Sequence, residues 1–186
     1  MTTTVRTIED VTLRIGEQLT LSPPQAQDAP AIHAAVQDPE IRRWLPLPRP
    51  YPLDLAMEFC TVMAPGVRAS GRGLIRSVRE RGEFAGIIDA KRIDWRAGVC
   101  EIGYWLVPAA RGRGLMTSAV DVFSRWLLNH AGFERVELRI APGNTGSIRV
   151  GERAGFAFEG TARNAGFTDS GRVDLAIYAR IAADLE

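Results

Sequence analysis

Apolar and polar residues repeat with two different periods along this chain, and the two periods separate its strands from its helices. Alternation with a period of two predicts strands at 11–21, 74–78, 84–93, 99–107, 136–140, 156–167 and 173–181. Apolar residues spaced by three to four positions predict helices at 28–37, 53–63, 115–130 and 145–154, and a short one at 39–44. Asp28 is the expected N-cap of the first helix, and the first strand region, broken at Gly16 and Glu17, is a hairpin or an interrupted strand.

The order of these elements favours one fold class. Most neighbouring strands are joined by short turns, which makes them antiparallel, and one strand–helix–strand unit at 99–141 adds a parallel pair. The pattern predicts an α+β fold with a mixed, mostly antiparallel twisted sheet of about seven strands and about four helices. We expect residues 1–186 to form a single domain, with 1–10 flexible.

Composition argues against several classes of function. The 23 basic side chains balance the 22 acidic ones, so no net field predicts a nucleic-acid partner. No apolar run approaches the roughly 20 residues that span a membrane, and the first residues lack the apolar core of a signal peptide. Cys60 and Cys100 have no framework spacing, which predicts reduced thiols in a cytoplasmic protein. His33 and His130 are isolated, so we expect no metal site.

The segment 101–117 carries the clearest chemical pattern. An apolar, aromatic strand leads through Pro108 into Arg-Gly-Arg-Gly, and a long helix begins near Leu115. A strand, a glycine turn and a helix N-terminus together favour anion binding, because backbone N–H groups converge there. The spacing matches neither the dinucleotide fingerprint, since residue 117 is Thr, nor a P-loop. Taken alone, the same residues also fit a flexible basic surface loop.

Four segments resemble one family. Arg111-x-x-Gly114-x-Met116 is similar to the pyrophosphate-binding signature (Gln/Arg)-x-x-Gly-x-(Gly/Ala) of the GNAT acetyltransferases, with Met116 departing from the last position. The segments 38–46, 101–106 and 144–156, the last with an Asn-x-x-Ser…Gly-Phe pattern, resemble the GNAT subgroup that acetylates ribosomal-protein N-termini, the RimJ/RimL type. The resemblance implies the GNAT fold, in which two central strands splay apart and receive the pantetheine arm of acetyl-CoA.

The resemblance also implies which residues bind acetyl-CoA, the expected cosubstrate. Backbone groups of Leu106 and Val107 would meet the pantetheine amides, and Asn144 would bond the cofactor or fix its loop. As a helix N-cap, Asn144 would look the same in sequence. The pyrophosphate would lie on main-chain donors of Arg111, Gly112, Arg113, Gly114, Leu115, Met116 and Thr117.

Two residues are candidates for acid–base catalysis. Acyl transfer to an amine requires removal of a proton from the amine and can use an acid for the leaving thiolate. Glu101, conspicuous in an apolar strand, is the candidate base by the resemblance, and a solvent-facing glutamate is the alternative. Ser147 is the candidate acid, and its alternative is a helix-capping serine. The sequence shows neither a Cys-His nor a Ser-His-Asp set, which favours direct attack in a ternary complex.

The sequence therefore predicts an acetyl-CoA-dependent N-acetyltransferase that acts on a primary amine, by resemblance the N-terminal α-amine of a protein. The alternatives are a small-amine acetyltransferase, for an amino acid, polyamine or aminoglycoside, and an acyl-CoA-binding sensor without turnover. We expect the acceptor pocket between the loop at 44–51, the helix after it and the last hairpin at 163–169. The run 176–178 predicts an apolar sheet edge that needs cover, and with it a homodimer.

Overall fold

A single sheet organises the protein, which we describe from a computed structural model covering residues 5–185. Its strands lie in the order β1-β2-β3-β4-β5-β6-β8-β7, and every neighbouring pair is antiparallel except β5 and β6. The described part of the chain has eight strands, one more than predicted: β1 Leu13–Ile15, β2 Leu19–Ser22, β3 Leu74–Glu80, β4 Glu83–Asp94, β5 Val99–Leu106, β6 Arg135–Ile140, β7 Ala157–Thr168 and β8 Gly171–Ile181. The predicted α+β class and mixed, mostly antiparallel sheet are confirmed.

Helices cover both faces of this sheet. They are α1 Ala29–Ala35, α2 Pro39–Trp44, α3 Leu53–Glu58, α4 Ala64–Ala69, α5 Leu115–Asn129 and α6 Thr145–Arg153. The predicted helix at 53–63 is longer than expected, because a π-helical turn, Phe59–Met63, joins α3 to α4. None of the described helices is long and apolar enough to cross a bilayer.

Strand alternation divides the interior into two cores. Ile88 and Ile102 pack with Phe123 of α5 on one face, in a core that also buries Ile8 from the N-terminal segment. Ile87 and Trp105 each precede a residue of that core, Ile88 and Leu106, by one position, and they face the helices of the first half instead. Of the segment 1–10 that we expected to be flexible, residues 1–4 lie outside the described part of the chain.

The parallel pair β5–β6 is short and then opens. Only Val99, Cys100 and Glu101 pair with β6, opposite residues 135–137. Beyond Glu101, β5 continues alongside β4, whereas β6 continues alongside β8 up to Ile140. The two strands therefore leave a V-shaped gap in the middle of the sheet, with its apex at Glu101 and its mouth where α5 and α6 begin.

Two local predictions were wrong. Asp28 occupies the N-cap position of α1, but its side chain does not cap the helix: its buried carboxylate accepts hydrogen bonds from Gln25 N–H, Ser77 and Arg79, which makes it the centre of a buried polar cluster. The run 176–178 is not a sheet edge, because β8 lies between β6 and β7 and buries Ala176 and Tyr178. The outer strand of this hairpin is β7, because β8 is the strand that pairs with β6.

Candidate active site

The backbone at the end of β5 presents hydrogen-bonding groups to the gap. Leu106 lies opposite Gly86, and Val107 N–H donates to the Ala85 carbonyl at 2.9 Å. In an antiparallel pair this pattern means that Leu106 and Gly86 exchange no hydrogen bonds, so the N–H and C=O of Leu106 point away from β4 and into the gap. Both backbone groups of Val107 are already engaged, since its carbonyl accepts from Ala110 N–H at 3.0 Å. Of the two residues predicted to bind pantetheine, Leu106 is the one whose backbone groups point into the gap, and its carbonyl also accepts a hydrogen bond from Arg111 Nε at 3.1 Å.

The N-terminus of α5 lies at the mouth of the gap and has no side-chain cap. The preceding Gly114 has a φ of +79°. Its carbonyl accepts the first hydrogen bond of the helix, from Ser118 N–H at 3.1 Å. The N–H groups of Leu115, Met116 and Thr117 therefore have no partner within the helix. Together with the helix dipole, these donors favour an anion at this position.

Met116 does not obstruct this cradle. Its side chain is only 4% exposed and belongs to the core beneath α5. The residue that departs from the family signature therefore fills the interior, while its N–H stays at the helix end. A Cβ added at Gly112 or Gly114 would meet no atom within 4 Å, so open space lies above this turn.

The two arginines of the turn are fixed by carboxylates. Arg111 donates to the Leu106 carbonyl at 3.1 Å and to the Asp38 carboxylate at 2.6 Å, and Arg113 makes two hydrogen bonds, of 2.8 and 2.6 Å, to Glu80. Burial alone would raise the pKa of Asp38, but the bonds from Arg111 and Ile41 N–H hold it below its usual value. The side chains therefore brace the turn, and the main chain supplies the anion donors.

Glu101 occupies the apex of the gap. Its side chain is 12% exposed and lies near three cations, Lys91 at 3.6 Å, Arg92 at 3.3 Å and Arg139 at 3.8 Å. Burial raises the pKa of Glu101 above its ordinary value, and the three cations oppose that rise. Glu101 is thus not the solvent-facing glutamate of the alternative interpretation, and its role as a base stays a prediction.

Ser147 and Asn144 lie across the gap, at the start of α6. The Asn144 side chain accepts from Ser147 N–H at 3.1 Å and caps the helix, so the capping alternative describes its contact here. The Ser147 carbonyl accepts a hydrogen bond from the Tyr104 hydroxyl at 3.1 Å. Tyr104 belongs to β5, so this bond joins the two sides of the gap. Burial raises the pKa of Tyr104, which keeps the phenol protonated.

Two of the segments expected to build the acceptor pocket, the loop at 44–51 and the last hairpin, contact each other. Arg49 of the proline-rich loop pairs with Asp169 at 2.8 Å, and Asp169 N–H donates to the Arg43 carbonyl at 3.2 Å. The Trp44 ring lies against Gly143, in the turn between β6 and α6, where an added Cβ would be 3.2 Å from the ring. The first half of the chain and the last hairpin are thus joined near the mouth of the gap.

Sequence reasoning missed several of these groups. Asp38, Glu80 and Tyr104 bind predicted site residues from distant positions, and nothing in their local sequence shows those contacts. Glu101 was recognisable as a carboxylate in an apolar strand, but Arg92 and Arg139 around it were not. Within residues 5–185, no three His, Cys, Asp or Glu side chains cluster as metal ligands.

Comparison with known proteins decides the family. The family model described as "Acetyltransferase (GNAT) domain" matches residues 18–157, most of the chain. This chain belongs to the GNAT family. The splayed central strands that the resemblance implied are present, with their apex at Glu101.

Relatives within the GNAT family include ribosomal-protein acetyltransferases. The Ribosomal-protein-serine acetyltransferase of Escherichia coli is 30% identical over 99 residues, 53% of this chain and 55% of its own length. YdaF of Bacillus subtilis is 30% identical over 105 residues, 56% of this chain and 57% of its own. The chain thus spans about half the length of these curated relatives.

Solved structures agree on the fold. RimL, described as a ribosomal L7/L12 alpha-N-protein acetyltransferase in complex with Coenzyme A, superposes with a TM-score of 0.83 at 20% identity, over 92% of this chain and 98% of that one. Mycobacterium smegmatis RimJ in complex with CoA-disulfide gives 0.83 at 24% identity, over 94% of this chain and 88% of that one. At these identities the likeness establishes the GNAT fold alone.

Proposed function

We propose that this GNAT protein transfers the acetyl group of acetyl-CoA to a primary amine, by direct attack in a ternary complex. The observation that carries the proposal is the continuity of the gap. Anion donors at residues 115–117, the outward-pointing N–H of Leu106 and the carboxylate of Glu101 follow one another from its mouth to its apex. A pyrophosphate, an amide-bearing arm and an amine meet suitable groups in that order. These residues fit acetyl-CoA as the cosubstrate.

The chain's own groups have separate tasks in this reaction. The N–H donors of α5 hold the pyrophosphate, and Leu106 orients the pantetheine arm through backbone bonds. Glu101 takes a proton from the acceptor ammonium, directly or through a water, which frees the nitrogen lone pair for attack. Ser147 lies across the gap as the proton donor to the departing thiolate, and Asn144 fixes its loop as the N-cap of α6.

The acceptor proposed here is the N-terminal α-amine of a protein. Two observations support it: relatives with ribosomal-protein names, and an acceptor side closed by contacts among Arg43, Arg49 and Asp169 that leave Arg163 and its neighbours on an exposed hairpin. The proposal includes a cytoplasmic location, which the buried free thiols of Cys60 and Cys100 support.

Thiol release from acetyl-CoA tests this function. A peptide with a free N-terminal serine should release thiol, and the same peptide with a blocked N-terminus and no lysine should not. Faster turnover of amino acids, polyamines or aminoglycosides would replace the protein acceptor with a small amine. Binding of CoA without thiol release across the whole panel would contradict catalysis and indicate an acyl-CoA sensor.

We also propose a homodimer. Its support is the edge strand β7, whose Phe158 and Phe167 are 58% and 57% exposed. An unpaired edge with apolar side chains favours pairing with another strand.

A further inference from the structure

A β-bulge beside Glu101 sends two consecutive residues of β4 towards the same carboxylate. The register pairs Lys91 with Glu101 and then Asp94 with Val99, so Arg92 and Ile93 together oppose the single residue Cys100. In a regular strand, Lys91 and Arg92 would point to opposite faces of the sheet. Here Lys91 Nζ lies 3.6 Å from one oxygen of Glu101, and Arg92 Nε lies 3.3 Å from the other. Bulges commonly re-aim a side chain in this way.

The backbone at Arg92 is unfavourable for an arginine. Its φ is +49°, in the left-handed region where glycine is the usual residue. A glycine would satisfy the bulge at no steric cost, so the side chain itself needs an explanation. It is 66% exposed, yet its guanidinium reaches back to a carboxylate that is 12% exposed.

Charged groups reach Glu101 from both neighbouring strands. From β4 come Asp89, Lys91 and Arg92; from β6 come Arg139 and, opposite in register, Glu137. Lys91 also lies 3.9 Å from Asp89, and Arg139 lies 3.8 Å from Glu137. In the described part of the chain, the ion pair of Arg92 is with Glu101 alone. Of the three cations near Glu101, Arg92 is therefore the one that lies near no second carboxylate among the described residues.

We propose that Arg92 is a positioning residue for catalysis: the bulge turns its guanidinium onto Glu101, where it fixes the carboxylate at the apex of the gap and favours its charged form. The proposal rests on Glu101 being the base of the proposed function. Arg92 touches neither substrate and acts only through Glu101. The direction of its effect follows from charge, because an adjacent cation favours a carboxylate over a carboxylic acid.

The test replaces Arg92 without disturbing the bulge. Arg92→Gly fits the positive φ and removes the guanidinium, Arg92→Asn is a second uncharged residue that tolerates this conformation, and Arg92→Lys keeps the charge. The matched control is Arg81→Gly. Arg81 has a φ of +52°, lies in the β3–β4 turn and bonds Gln18, so the same change of residue and backbone occurs away from Glu101.

We expect Arg92→Gly and Arg92→Asn to move the acidic limb of the kcat/KM profile upward by about one pH unit, the low end of the effect of one nearby charge. Below that limb their rates fall by up to about tenfold, and at alkaline pH they rejoin the wild type. Arg92→Lys should restore most of the profile, and Arg81→Gly should leave it unchanged. CoA affinity should be the same in all four variants.

Two outcomes distinguish a failure of this proposal from a failure of the proposed function. If Glu101→Gln removes the acidic limb but Arg92→Gly does not move it, Arg92 is not a positioning residue and the base assignment stands. If Glu101→Gln keeps the wild-type limb, the base assignment itself fails. A carbon-13 NMR titration of the Glu101 carboxyl gives a readout without turnover, and an unchanged midpoint in both uncharged variants overturns the role of Arg92.

Discussion

Glu101 is a carboxylate on which burial and neighbouring charge act in opposite directions. Burial raises its pKa, while Lys91, Arg92 and Arg139 lower it, and the result lies above the ordinary value for glutamate. A raised pKa means that the carboxylate takes up a proton at a higher pH than an exposed glutamate does. The base is therefore present above that pKa and is lost as pH falls through it.

Replacing Glu101 with glutamine should lower kcat by about 10²–10⁴-fold near neutral pH, the range typical of a well-placed general base. The loss should shrink as pH rises, because an α-amine with a pKa near about 8 then loses its proton without help. CoA binding should persist, since Glu101 lies at the apex and the anion donors lie at the mouth. Steady-state rates and calorimetric CoA titrations between pH 6 and about 9 measure both effects. Wild-type rates below neutral pH would remove Glu101 from the mechanism.

Replacing Ser147 with alanine should reduce turnover less than the change at Glu101. A thiolate is already a fair leaving group, so a proton donor contributes less than the base does. The backbone bonds of Ser147, to Asn144 and from Tyr104, do not depend on its side chain, so α6 should keep its start. Thiol-release assays with both variants at one pH give the comparison, and a larger loss in Ser147→Ala would reverse their ranking.

Single functional groups of the site were identifiable from the sequence, but the residues that surround them were not. Glu101 was identifiable because an acidic residue interrupts an apolar strand, and the anion turn because glycines precede a helix. The partners Arg92 and Arg139 were not identifiable, since one depends on an irregular register and the other on a strand 38 positions away. A local pattern locates a functional group, whereas its electrostatic surroundings are set by tertiary structure.

Helix α5 begins without a side-chain cap, which leaves its first N–H groups free. Gly114, at the cap position, contributes no side chain and has a φ of +79°. A Ser, Thr, Asn or Asp in a regular N-cap would stabilise the helix by about 1 kcal/mol. The chain forgoes that contribution, and the free donors are what an anion needs.

Gly114→Asp should abolish the stabilisation of the fold by CoA. The new carboxylate would lie at the free N–H groups and oppose the pyrophosphate by charge. Gly114→Asn is the matched control, because asparagine has the same shape, tolerates a positive φ and carries no charge. We expect the asparagine variant to bind CoA weakly and the aspartate variant not to bind it, measured as the CoA-induced rise in melting temperature. Equal binding of CoA by the aspartate variant and the wild type would remove this turn from the site.

Periodicity predicted the elements better than their arrangement. The alternation in 84–93 and 99–107 gave strands that agree with β4 and β5, but it contains no sign of the bulge at Arg92. Asp28 had the residue type and position of an N-cap, yet its carboxylate accepts hydrogen bonds from the buried side chains of Ser77 and Arg79 instead. Local propensity is overridden where a tertiary contact offers the same atom a better partner.

At the scale of the whole molecule, the two ends of the sheet differ. One end is the short strand β1, and the other is β7, twelve residues long and exposed along much of its length. A long, exposed edge is usually covered in a soluble protein. Here the apolar side chains Phe158 and Phe167 lie along it, so we place the proposed dimer contact on β7. The sequence had predicted this contact at 176–178, which lies in β8.

The double replacement Phe158→Arg and Phe167→Arg should convert a dimer into a monomer. Both side chains are exposed, so charge at these positions opposes association without opening the core. Light scattering across a range of concentrations should give twice the chain mass for the wild type and the single mass for the variant. Leu53→Arg and Val62→Arg are the control, because these exposed apolar residues lie on the helices of the first half, away from β7. A wild-type mass equal to one chain at all concentrations would contradict the dimer. A dimer that persists in the variant with both Phe158→Arg and Phe167→Arg would place the contact elsewhere on the surface.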